Sequence, residues 1–292
     1  MNRQSTDFIL SVIFTFISSY MLNAQVMIPG LEHPYGIAHT PDAVYVSNIG
    51  TDFNPLSKDG DGFISKLSPD GEILELNAFP DIRLNAPKGL GIYSQLLYVA
   101  DIDEIVVIDL QKKQLQAAIS VRSVSQDLRD LSVFFSSSIG VVAADSRLLL
   151  EVSPFKGTFA KVGTTLPVPG LQSLYFDSLT KTAFVSGFDE KQLDGEIGKI
   201  DLLTGKYAKI TDYTLPNCGL FLRGNELHFA SWQNADKRPF LQKVNVQYKT
   251  IKKVDFSDFG IPFDLLLDPT RKKIWFVCTM DNRLEVHDWK NP

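Results

Sequence analysis

The chain has 292 residues, 44% hydrophobic and 22% charged, an ordinary globular composition long enough to bury one substantial core or two small ones. Its net charge of -5, with no Lys/Arg run longer than Arg271 to Lys273, excludes a nucleic-acid surface, because phosphate binding needs a concentrated positive field. Two cysteines, Cys218 and Cys278, are too few for a disulfide framework, and both lie in apolar strand-like runs that read as buried, reduced thiols.

In chain order, the first segment differs from everything after it. A weakly charged start, "MNRQSTDF", precedes the uncharged run Ile9 to Leu22, which is too short to span a bilayer as a helix. With the small residue Ala24 behind it, residues 1–24 read as a secretory signal peptide cleaved before Gln25. An uncleaved membrane anchor is the other reading. The expected mature chain, 25–292, is one exported domain, periplasmic or secreted, without membrane contact after cleavage.

From Gln25 onward the pattern repeats. Six apolar runs end at Asn48, Asp101, Asp145, Gly187, Ser231 and Cys278, at intervals of 53, 44, 42, 44 and 47 positions. Each is preceded by a turn signal and a strand-like run ("HPYGIA", "APKGLGI", "LRDLSVF", "VPGLQSLYF", "NCGLFL", "IPFDLLL") and followed by a third such run, with a fourth closing most units. Four short strands per unit, six times over, specify an all-β, six-bladed β-propeller. The sixth unit lacks its fourth strand, so "QVMIP" from Gln25 is expected to supply it and to close the last blade.

The first interval is long because "SNIGTDFNPLSKDGDGFISKL" carries an extended loop between the second and third strands of blade one. Placing Gly62 at the sixth position of an EF-hand leaves Ser57 and Ser68 where the first and twelfth ligands belong, so that motif fails. A turn shaped by Asp and Gly, or a calcium held by Asp52, Asp59 and Asp61, remain as readings. His33, His39, His228 and His287 lack metal-ligand spacing, and there is no nucleophile elbow, P-loop or dinucleotide turn. Lys88 in "APKG" is either a channel-facing, ligand-binding side chain or a solvated turn lysine.

"HPYGIA...AVYVSN", "LNAPKGLGI...LLYVADIDEIVVID" and "GNELHFASW" resemble the gluconolactonase and regucalcin-like (senescence marker protein) superfamily of six-bladed propellers, and the related NHL-repeat proteins, over about residues 28–288. The resemblance implies a lactone hydrolase with one divalent cation, calcium or zinc, in the central channel. It implies Glu32 and Asp264 as metal ligands and Asp264, Asp130 and Arg129 as catalytic residues. The family's two Asn positions read as Arg129 and Cys218 here, with Asn217 one place early. Lys88, Asn217 and Cys218 complete the expected ligand-binding set. Arg129 is expected to pair with Asp130 or Asp264, and Glu32, Asp130 and Asp264 to converge at one end of the channel. The implied ligand is a sugar-derived lactone or ester. A noncatalytic NHL-like propeller contacting protein or glycan partners is the alternative.

Overall fold

In the computed structural model the described residues are 25–135, 138–232 and 238–289; the expected signal peptide, residues 1–24, lies outside them. Six four-stranded antiparallel sheets stand around a central axis as the blades of a propeller. The six inner strands are Pro34–His39, Pro87–Tyr93, Leu128–Phe135, Leu171–Asp177, Asn217–Arg223 and Asp264–Asp268. Second and third strands such as Val44–Asn48 and Glu104–Asp109 are continuous apolar runs because neighbouring blades cover both their faces. Fourth strands such as Gln114–Ser120 are mostly exposed, as an outer edge should be.

The ring closes as the sequence predicts. Val26–Pro29 pairs antiparallel with Arg283–Asp288, in register Val26 with Val286 and Ile28 with Leu284. Gln25 Nε2 adds a 2.8 Å hydrogen bond to Glu285 Oε2, and Ile28 packs with Trp275, Leu284 and Val286 in one apolar cluster. Burial works against the Glu285 charge, but His287 and Arg283 outweigh it and hold this carboxyl down at about 2.

Five of the inner strands carry a register shift near their start. A bulge there bends the strand and frees backbone N–H groups from the ladder. Just inside it comes a ring of corresponding positions: Gly36, Gly89, Asp130, Ser173, Gly219 and Asp264. Blades approach most closely here. A Cβ on Gly36 would lie 2.2 Å from the Lys88 carbonyl oxygen, and one on Gly89 would lie 2.5 Å from Asp130 Cα. Glycine is therefore required at these two positions by packing. This ring is the waist of the channel.

Candidate functional site

Below the waist the channel widens into a cavity of about 830 Å³ that opens among the hairpin turns joining inner to second strands. Successive residues of the inner strands line it, among them Ile37 and His39, Leu90 and Ile92, Leu131 and Val133, Leu220 and Leu222, and Leu265 and Leu267. Trp289 completes the wall. It is 5% exposed, and its buried Nε1–H has no partner among the described residues.

The floor is formed by Asp130 and Asp264, which come from opposite blades and perform the same structural task. Asp130 accepts the Leu131 N–H and, across the blade boundary, the Leu174 N–H, both at 2.7 Å. Asp264 accepts the Leu265 N–H at 2.8 Å and, across its own boundary, the Ile37 N–H at 3.2 Å. Both acids take up amides at the starts of the inner strands. Burial pushes the Asp130 carboxyl up to about 7, against the pull of those amides. Burial raises Asp264 well above the usual carboxylate range, and the charge of Asp130 raises it further. Both carboxyls are thereby shifted toward their protonated forms.

Above the waist the channel is closed. Arg129 and Asp130 both border the small space at the waist, with Tyr35 and Asp264, but take different partners. Here the expected pairing is corrected: Arg129 turns to Asp127, with Nε and Nη2 at 2.8 and 2.7 Å from Oδ2, and Nη1 donates to the Tyr35 hydroxyl at 3.3 Å. Lys88 is 0% exposed, which removes the solvated-turn reading. Its ammonium donates to the Pro55 carbonyl at 2.6 Å and stands 3.5 Å from Asp127 Oδ1. Burial pulls Lys88 down to about 8, with Asp127 resisting. Asp127, which the sequence reading did not single out, thus neutralises two cations.

Pro55 belongs to the long blade-one loop, which folds over this end of the channel. Phe53 lies edge-on to Phe263 at 6.0 Å, and Phe263 to Tyr35 at 5.5 Å. Lys58 binds Asp103 at 2.5 Å. Within the loop, Asp61 accepts the Thr51 N–H at 3.0 Å and Asp59 accepts the Asp61 N–H at 3.3 Å, which is the work of turn-forming aspartates.

The remaining expected site residues lie elsewhere. Glu32 is outside the lining of the channel cavities, and its backbone N–H donates to Asn48 Oδ1 at 3.0 Å. Asn217 Nδ2 donates to the Gly187 and Leu215 carbonyls at 3.2 and 3.3 Å, tying blade five to blade four. Cys218 is a buried free thiol whose Sγ donates to the Pro262 carbonyl at 2.8 Å; Cys278 is likewise buried and free. His228 stacks on Phe221 at 4.7 Å and is lowered to about 4 by burial, a packed histidine.

The residues present do not fit the divalent cation that the resemblance implies. The four carboxylate oxygens of Asp130 and Asp264 each accept a backbone N–H, and Glu32 stands apart. Calcium takes six to eight oxygens and zinc a compact set of about four ligands. Among the described residues no group of three or more His, Cys, Asp or Glu side chains is placed to hold a metal.

No protein-family model matches the chain, and no curated protein matches it. Solved structures do. A proposed 6-phosphogluconolactonase of Bacteroides uniformis ATCC 8492 is 17% identical with a TM-score of 0.59, covering 88% of this chain and 81% of its own. Virginiamycin B lyase of Staphylococcus aureus is 12% identical with a TM-score of 0.59, covering 91% and 99%. The extracellular domain of the proposed one-component system BT4673 of B. thetaiotaomicron is 13% identical with a TM-score of 0.58; this chain is covered over 87% and spans 32% of that one. At such identities the similarity establishes the propeller fold. Among the described residues no helix is long and apolar enough to cross a membrane.

Proposed function

We propose that this propeller binds a small, largely apolar lactone or ester in the wide half of its channel, with the Asp130–Asp264 pair donating a hydrogen bond to the ligand's carbonyl oxygen. The observation that carries the reading is the junction of an 830 Å³ cavity, lined by Leu, Ile and Val side chains as well as polar groups, with a buried acid pair at its floor. A neutral carboxyl in an apolar site is a strong donor to a carbonyl and carries no charge that the wall would penalise. The wall favours a lactone or ester with hydrocarbon or aromatic bulk over a polyhydroxylated sugar ring, which would leave hydroxyls unpaired. Export belongs to the same reading, supported by the signal-like pattern of residues 1–24 and by the extracellular setting of the BT4673 domain.

Hydrolysis is the second reading, favoured by one feature. Two carboxyls facing one cavity, one protonated and one ionised, would supply an acid to polarise the carbonyl and a base to take a proton from water. Calorimetric titration with δ-decalactone and with D-glucono-δ-lactone tests both readings, with mass spectrometry of the recovered ligand. Wild type should bind δ-decalactone in preference, and Asp264→Ala should bind it about tenfold less tightly, the loss of one good hydrogen bond. Failure of wild type to bind δ-decalactone, or preference for the glucono-lactone, overturns the binding reading. Recovery of intact lactone after prolonged incubation removes the hydrolytic one.

A further inference from the structure

The charges of the cavity are divided between its ends. The floor holds the acid pair; among the described residues the other titratable side chains lining the cavity are His39, Tyr175, Arg223 and Lys272, with Arg223 and Lys272 at the hairpin end. Arg223 and Lys272 are exposed, and neither has an ion-pair or hydrogen-bond partner for its side chain among the described residues. Acids of the same turns are already committed. Asp268 holds Arg271 at 3.1 Å and accepts two N–H bonds of its turn, while Glu226 holds Lys243 at 2.8 Å. The lining of the mouth therefore carries positive charge, with Asp42 and Asp177 of neighbouring hairpins outside the lining, in front of a wall rich in Leu, Ile and Val.

From this arrangement we infer that the ligand is an amphiphilic anion: an oxygen-bearing neutral end at the Asp130–Asp264 floor, an apolar body along the wall, and a carboxylate or phosphate at the mouth facing Arg223 and Lys272. The inference rests on the binding reading above and adds the ligand's class and orientation. Dimensions agree with it. The strand Asp264–Asp268 runs from floor to turn, a rise of roughly 13 Å at ~3.3 Å per residue, which an extended chain of about ten carbons spans. A cation at the outer end would meet like charge, and a neutral end would leave the rim charges solvated and indifferent.

Three probes of equal length separate these cases: 10-hydroxydecanoate, 1,10-decanediol and 10-aminodecan-1-ol, titrated at low and at moderate salt. The anion should bind about tenfold more tightly than the diol at low salt, as expected for two exposed charge contacts, with the difference shrinking as salt rises. The amine should bind most weakly. In the Arg223→Gln, Lys272→Gln double variant, whose substitutions are at exposed positions, the anion should fall to the affinity of the diol while the diol is unchanged. Equal binding of anion and diol by wild type, or an anion preference that survives in the double variant, overturns the inferred class while leaving the binding reading in place. If none of the three binds, the inferred class is overturned, and the δ-decalactone titration alone decides the binding reading.

Discussion

The two halves of the channel are built from the same six strands and differ in how they treat charge. At the strand-start end the cations are paired: Lys88 and Arg129 share Asp127, Lys58 holds Asp103, and the blade-one loop lies across the opening. At the hairpin end the cavity stays open, its wall mixes aliphatic side chains with polar groups, and the rim cations Arg223 and Lys272 are unpaired among the described residues. Satisfied ions make a seal, because each buried charge fixes the position of the groups that neutralise it. Unsatisfied groups around an empty volume make a receptor. The residues that a search for chemistry finds first, Lys88 and Arg129, belong to the seal.

The largest test of that contrast is Asp127→Ala, which strands two cations in the sealed half. Removing one partner of a buried ion network costs about 3–5 kcal/mol, so urea denaturation should show a loss of this size. Affinity for δ-decalactone should be unaltered. Unchanged stability would mean the ion cluster is not what holds the seal.

A smaller effect belongs to the floor. Asp130 is raised from its ordinary value to about 7, so the folded state binds its proton more tightly than the unfolded chain does. The stability this contributes is complete below about pH 4 and is lost as pH rises toward 7. Asp130→Asn mimics the protonated acid and should flatten the loss, by an amount on the order of 2 kcal/mol between pH 4 and 7. Parallel stability curves for wild type and variant over that range would show that the floor carboxyl is not proton-retaining.

The smallest concerns the loop. Phe53→Ala removes one edge-on aromatic contact from the lid, worth about 1 kcal/mol. Limited proteolysis should then cut the 49–62 segment faster while ligand affinity at the hairpin end stays the same. A change in affinity would show that the two halves communicate across the waist.

Much of this was legible beforehand, and the boundary falls at identifiable residues. Blade count, strand order and closure by Val26–Pro29 followed from repeated runs, since a missing fourth strand and a surplus first one have a single economical solution. Asp130 and Asp264 were legible through the resemblance to the gluconolactonase-like propellers, which implies acids at these two inner-strand starts. Arg129 takes Asp127 rather than Asp130 because both oxygens of Asp130 are held by backbone amides, a commitment that the sequence does not display. The Lys88–Pro55 and Lys58–Asp103 contacts join different blades through a loop path that no spacing encodes. Nor did the sequence reveal which half of the channel would be empty, because that depends on where a 14-residue loop, 49–62, comes to rest.

The closing strand also sets a timetable. Gln25 meets Glu285 across 260 positions, so the segment that is made first must wait for nearly the whole domain before its partner exists. Bringing such distant segments together costs about 5 kcal/mol of loop entropy if nothing intervenes, a cost the five completed blades remove by holding the ends close. Until then Arg283–Asp288 offers an unpaired ladder to any matching strand, and the matching strand of a second copy serves as well as its own. Reciprocal exchange of Val26–Pro29 between two chains would yield an intertwined dimer with every blade intact, so the chain's fidelity in refolding depends on concentration at this one seam.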